Sequence, residues 1–139
     1  HTREISRYGG LVNKMPFYAF TFMIFILASL GLPGTSGFVG EFLVLLSVFT
    51  VNTYFALFAT TGVVLAATYS LWLYRKVIFG ALVKDDLVDM LDLTRREIII
   101  FVPLIFLTFF LGIYPKPVID IIEPSTKLVV ENFNERLQK

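Results

Sequence analysis

Leu32-Pro33-Gly34-Thr35-Ser36-Gly37-Phe38-Val39-Gly40-Glu41 lies inside a long apolar run and decides how the chain is read. Pro33 removes a backbone donor, and Gly34 and Gly37 favour irregular backbone, so residues 32–37 are expected to break a helix. From Met15 to Tyr74 there are sixty residues and one formal charge, Glu41. A lone carboxylate in lipid is costly, and its default reading is functional. A broken helix beside an ionisable group is also how membrane transporters build ion sites.

Outward from this stretch the composition agrees. The chain has 139 residues, 56% hydrophobic and 17% charged, with mean hydropathy +0.76. A soluble domain carries closer to about 25% charged residues. Residues 15–40, 42–74 and 98–115 carry no charge. Each run approaches or exceeds the roughly 18 residues that mark a membrane helix. The net charge of +1 makes no electrostatic case for nucleic acid. Cysteine is absent, which removes disulfides, thiolate metal sites and thiol catalysis. The only histidine is His1, in a polar segment, so no metal site is expected.

The fold class expected is all-α integral membrane, with about three spans, the first discontinuous. Residues 1–14 read as a polar, basic loop carrying Arg3, Arg7 and Lys14. Residues 15–50 read as one discontinuous helix broken at 32–37. Val51-Asn52-Thr53 is a tight turn, and 54–79 is a second helix ending in an aromatic and basic anchor, Trp72, Tyr74, Arg75 and Lys76. Residues 80–96 form a charged loop with Lys84, Asp85, Asp86, Asp89 and Asp92. It ends in Thr94-Arg95-Arg96-Glu97, a capping box. Residues 97–114 form a third helix that Pro103 is expected to kink, and Pro115-Lys116-Pro117 stops it. Residues 115–139 are a polar tail with an amphipathic stretch through Val129, Phe133 and Leu137.

Counting 15–50 as one crossing puts the basic head and the basic loop on one side, as the positive-inside rule favours. Lengths agree: thirteen residues, 38–50, give about 20 Å of helix against a hydrocarbon core of about 30 Å.

Glu41 is the first candidate for chemistry. Lipid favours a neutral carboxyl and a half-helix N-terminus a charged one, and competition between them suits a proton relay. The plainer reading is a fixed ion pair with a cation from a neighbouring helix, since the spans here supply none. The break, Pro33, Gly34, Thr35, Ser36 and Gly37, and the pair Tyr69 and Ser70 are candidates for a hydrated path. Their plainer readings are a packing kink and helix–helix hydrogen bonding. Gly62, Ala66, Ala67 and Ser70 read as a surface for close helix approach. No phosphate loop, dinucleotide fingerprint or catalytic triad is present.

The run Leu32–Phe42 resembles the discontinuous twelfth helix of the chain 4, or bacterial M-type, subunits of NADH:ubiquinone oxidoreductase, respiratory complex I. His1-Thr2-Arg3-Glu4-Ile5-Ser6-Arg7-Tyr8-Gly9-Gly10-Leu11 is similar to the loop before that helix. Tyr69-Ser70-Leu71-Trp72-Leu73-Tyr74 and Gly112-Ile113-Tyr114-Pro115-Lys116-Pro117 are similar to the two helices after it. The resemblance implies the last helices of an antiporter-like, inverted-repeat bundle. It implies a proton-translocating membrane-arm subunit, coupling NADH-to-quinone electron transfer to proton pumping, with Glu41 as the terminal proton-carrying group. The chain is then expected to carry no redox chemistry or cofactor itself. NADH, FMN, iron–sulfur clusters and quinone belong elsewhere in the complex. Expected partners are the remaining helices of the same subunit, on this or a separate polypeptide, neighbouring antiporter-like subunits and membrane lipids. The expected location is the mitochondrial inner membrane, with the bacterial inner membrane as the alternative. The chain begins at His1 rather than Met and reads as a piece of such a subunit. Competing readings are a subunit of a multi-subunit cation/proton antiporter and a purely structural membrane scaffold.

Overall fold

A computed structural model describes residues 4–82, 87 and 90–137; His1, Arg3, Lys84, Asp85, Asp86, Asp89 and Lys139 lie outside them, as does the Leu137 side chain. The described chain is helical throughout. Two 3-10 turns, Ile5–Arg7 and Leu11–Asn13, precede five α-helices among the described residues. These are α1 Pro16–Ser29, α2 Ser36–Val51, α3 Thr53–Ile78, α4 Arg95–Ile113 and α5 Lys116–Leu137. The lengths and compositions of α3 and α4 suffice to cross a membrane, while α1 and α2 are shorter apolar helices.

The break falls at residues 30–35, so Ser36 and Gly37, expected inside it, belong to α2. Gly31 (φ +67°) ends α1 in the left-handed region, which glycine adopts without strain. That ending puts the last helical residue, Ser29, four residues before Pro33.

α1 and α2 run in series in one direction. Asn52 alone separates α2 from α3, so α3 returns antiparallel to α2. Tyr74 lies 21 residues beyond Thr53, about 32 Å along the helix. Its hydroxyl donates to the Ala19 carbonyl at 3.0 Å, near the start of α1. If α2 folded back along α1, that end of α3 would lie far from Ala19. The contact therefore requires α1 and α2 to line α3 end to end. Gly37 beside Ala28 and Glu41 beside Gly31 fix the same sense locally.

One end of this column holds the core. Leu11, Ala19, Ile26, Tyr74, Ile78 and Leu87 are buried together. Phe22 joins them, with ring centroids 5.8 Å from Tyr18 and 5.7 Å from Tyr74. Elsewhere large apolar side chains point outward, such as Phe58 at 68% and Ile99 at 71% exposure. That inverted pattern suits lipid or further helices, since a water-soluble surface rarely presents so large an apolar face. Gly62 has open space around it, so any close approach there is to something outside this chain.

The head and the loop meet at the core end. The Gly10 N–H donates to the Phe79 carbonyl at 3.2 Å. Asp92 accepts from the Phe17 N–H at 2.9 Å and the Tyr18 N–H at 3.1 Å. Met15, the residue before α1, supplies no side-chain cap. Asp92 therefore caps α1 from across the chain, satisfying amides that have no helical partner. Burial pushes its carboxyl up, but backbone donors from Phe17, Leu93 and Tyr18 outweigh that and hold it below the usual range.

Two residues on, Thr94 and Glu97 form the expected capping box. The Thr94 N–H donates to Glu97 Oε2 at 2.6 Å, and Thr94 Oγ1 accepts from the Glu97 N–H. α4 continues through Pro103 to Ile113. Near its end Gly112 meets the break: a Cβ there would collide with the backbone of Gly34 and Thr35. The tail differs from its expected form. It is one helix, Lys116–Leu137, running through Pro124. Pro117 sits in its first turn, where a missing N–H costs nothing, so the Pro-Lys-Pro stop is also a start.

Removing the Asp92 carboxylate should loosen the start of α1. Asp92→Ala is expected to cost ~1–2 kcal/mol, typical of a lost cap. Amide exchange at Phe17 and Tyr18 should quicken roughly five- to thirtyfold. Because the folded carboxyl is held low, its contribution is full above the ordinary carboxylate range and is lost as pH falls through the lower folded value. Unchanged exchange in the variant would refute the cap. Gly112→Ala is expected to destabilise by ~1–3 kcal/mol through overpacking, whereas Gly62→Ala should be neutral in this chain. Thermal denaturation of the two variants compares them directly.

Candidate functional site

The break is a folded connection with its own hydrogen bonds. At the end of α1 the Leu32 N–H donates to the Leu27 carbonyl at 3.0 Å, and the Gly31 N–H to the Ala28 carbonyl at 3.2 Å. This pair of bonds is a Schellman motif, and it satisfies carbonyls a helix end leaves open. Leu32-Pro33-Gly34-Thr35 then makes a tight turn. The Thr35 N–H donates to the Leu32 carbonyl at 3.0 Å, with Pro33 and Gly34 (φ +94°) at the two central positions. Proline followed by a positive-φ glycine is the pattern of a type II turn.

Thr35 is fully buried. Its hydroxyl also donates to the Leu32 carbonyl, at 2.7 Å, and gives no side-chain cap to α2. The α2 N-terminus is therefore left without a side-chain cap, which keeps its amides and their partial positive charge available. Polar backbone at this depth must face protein or a hydrated space. The glycine-ended motif pairs several of the break's amides and carbonyls internally.

Glu41 lies in the second turn of α2 and is half-buried. Its carboxylate packs against the Cα of Gly31, so closely that a Cβ there would meet Glu41 Oε2. The absent side chain of Gly31 thus makes the space this carboxylate occupies. Among the described residues no hydrogen bond or ion pair engages the Glu41 side chain. α1, α2 and most of α3 offer no lysine or arginine to pair with it. The break and the carboxylate are thus adjoining parts of one feature. α1 supplies Gly31, α2 supplies Glu41, and α4 closes on the turn through Gly112.

The second pair of candidates stands apart. Ser70 is buried, and Tyr69 is 63% exposed. No hydrogen bond joins either side chain to Glu41 among the described residues. Thr60, Thr61 and Thr68 each donate to a carbonyl three or four residues earlier in α3. Those hydroxyls are satisfied within their own helix. Among the described residues no group of three or more histidine, cysteine, aspartate or glutamate side chains could hold a metal ion. Sequence reasoning missed Gly31 as the neighbour of Glu41. Its only signal was a glycine ten residues before the carboxylate.

Comparison with known proteins adds an independent line. The family model described as NADH:quinone oxidoreductase/Mrp antiporter, TM, matches residues 1–66, which include the break and Glu41. Subunit M of the NADH-quinone oxidoreductase of Rhodobacter capsulatus is 59% identical over 137 residues, 99% of this chain and 27% of that protein. Chain 4 of the NADH-ubiquinone oxidoreductase of Marchantia polymorpha is 41% identical over 131 residues, 94% of this chain and 26% of that protein. The corresponding chain 4 of Arabidopsis thaliana is 43% identical over 131 residues, again covering 94% of this chain and 26% of that protein. The chain spans about a quarter of the length of these relatives. Its apolar helices and broken first column fit an all-helical integral membrane fold, and the chain is a homologue of the subunit M and chain 4 proteins of NADH:quinone oxidoreductases.

Proposed function

We propose that this chain is a proton-translocating part of the membrane arm of an NADH:quinone oxidoreductase, with Glu41 as the group that takes up and releases the proton. The observation that carries this is the carboxylate itself. It sits in an apolar column beside a broken helix, with no cation among the described residues paired to it. Intramembrane carboxylates are costly enough that they usually mark ion pathways. The helix interruption provides backbone polarity next to it. The α2 N-terminus, without a side-chain cap, lies in the turn that precedes Glu41.

The chain's part in the reaction is proton transfer. NADH oxidation, flavin and iron–sulfur electron transfer and quinone reduction belong to other parts of the complex. The reading requires partners: the helices that complete this subunit, and neighbouring antiporter-like subunits that receive or deliver the proton. Thr35, Ser36, Tyr69 and Ser70 are the polar groups this chain offers toward a hydrated path. The membrane is the energised inner membrane of a mitochondrion or a bacterium. A cation/proton antiporter is the second reading, because the matching family description also includes Mrp antiporters. The relatives named above favour the oxidoreductase.

Replacing the carboxyl by an isosteric amide separates proton transfer from packing. Glu41→Gln is expected to lower the proton-to-electron ratio of the reconstituted complex several-fold, while native gels show normal assembly. Undiminished pumping in an assembled variant would sink the proposal. Failed assembly with no separate pumping defect would favour a scaffold role. Gly31→Ala keeps the carboxyl but takes its space and strains the left-handed backbone. It should reduce pumping to a lesser degree, and proton uptake measured with a pH-sensitive dye in proteoliposomes would rank the two variants.

A further inference from the structure

The head, the end of α3 and the start of the following loop enclose a cleft of about 610 Å3, lined in part by Tyr8, Gly9, Trp72, Arg75, Lys76 and Gly80. It lies at the core end of the molecule, far along α3 from the turn at Asn52. Arg75 and Lys76 occupy the last turn of α3, where the helix dipole already favours cations. Lys76 Nζ stands over the Trp72 ring, 5.7 Å from its centroid, which orients the ammonium group. Both basic residues are exposed, and no carboxylate lines the cleft among the described residues. Two glycines lie in the lining: Gly9, packed near the Ala81 carbonyl, and Gly80, whose φ of +107° favours glycine.

The cleft's height along the molecule matters as much as its charge. α3 is apolar from Tyr54 to Tyr74 and then abruptly basic. Trp72, exposed at that border, stands where aromatic residues stand at a membrane–water interface, while Tyr74, expected to share that role, turns inward onto the Ala19 carbonyl. Basic pockets at this level, on the positively biased side, suit anionic headgroups. Arg75 offers a planar fork of donors matched to phosphate oxygens, and Lys76 adds a compact charge. The rings of Trp72 and Tyr8 give an apolar wall on which a glycerol backbone can rest.

We infer that this cleft binds a phosphate group, with Arg75 and Lys76 as its cationic ligands and an anionic phospholipid as the molecule that carries it. The inference concerns a site away from Glu41 and does not depend on the proton-transfer role. The test uses the intact membrane complex that contains this chain, purified in mild detergent. Tightly retained phospholipid is quantified by mass spectrometry, and rebinding is titrated with nanodiscs of phosphatidylglycerol in phosphatidylcholine. The double variant Arg75→Gln/Lys76→Gln should lose one retained anionic lipid per complex. It should rebind phosphatidylglycerol roughly 25-fold more weakly, about fivefold per basic residue. The charge-keeping variant Arg75→Lys/Lys76→Arg should retain the lipid. A parallel arm adds inorganic phosphate to lipid-stripped complex. Protection of the cleft from exchange by phosphate alone, lost in the neutral variant, would support the same site with a free anion as its ligand. Unchanged lipid content and no phosphate effect in the neutral variant would overturn the inference. So would failed assembly of the neutral variant with lipid unchanged, because the two cations would then serve a protein contact.

Discussion

A backbone that leaves its helix inside an apolar column must find partners for its amides and carbonyls, and this chain is organised around that requirement. The Schellman motif at Leu27–Leu32 and the turn at Leu32–Thr35 pair groups that α1 would otherwise leave open. Thr35, fully buried, turns its hydroxyl onto the same carbonyl. Because these bonds close the end of α1 and the turn, α2 can begin afresh beside α1 and continue in the same direction. The approach of Gly112 then seals the turn from the side. Glu41 owes its position to this arrangement, since the same left-handed glycine that ends α1 leaves the space for its carboxylate.

The two ends of the column have different physics. At the core end, rings and aliphatic side chains are buried together, and a caps-and-loops network ties segments distant in sequence. Asp92 reaching the start of α1 is the clearest case, a link across 75 residues. At the other end, α2 and the first turns of α3 present apolar surface outward and are joined by a single residue, Asn52, whose side chain accepts from the Tyr54 and Phe55 amides. Glu41 and the break lie between the two ends.

Much of this was legible in the sequence. The charge-free runs located α1 to α4, Pro33 and Gly34 located the break, and Thr94–Glu97 declared its capping box because that motif is local. What escaped was non-local. No pattern could tell that Asp92 caps α1, or that Gly112 rather than a polar residue meets the turn, because both depend on how helices pack. The tail was read as largely polar because its charges interrupt the apolar residues. Those interruptions are themselves helical in spacing, as the Glu123–Lys127 ion pair at 2.6 Å reflects. The break began earlier than Pro33 because Gly31 had already turned left-handed, a choice glycine permits but sequence does not dictate.

The central claim is that Glu41 changes protonation while the complex turns over. Infrared difference spectroscopy of the reconstituted complex, reduced by NADH in the presence of quinone, reads carboxyl protonation directly. The account predicts a carboxyl carbonyl band that changes on reduction, shifts on deuterium exchange and disappears in the Glu41→Gln variant. A difference spectrum identical in wild type and variant, from complexes that assemble and reduce quinone equally well, would contradict it.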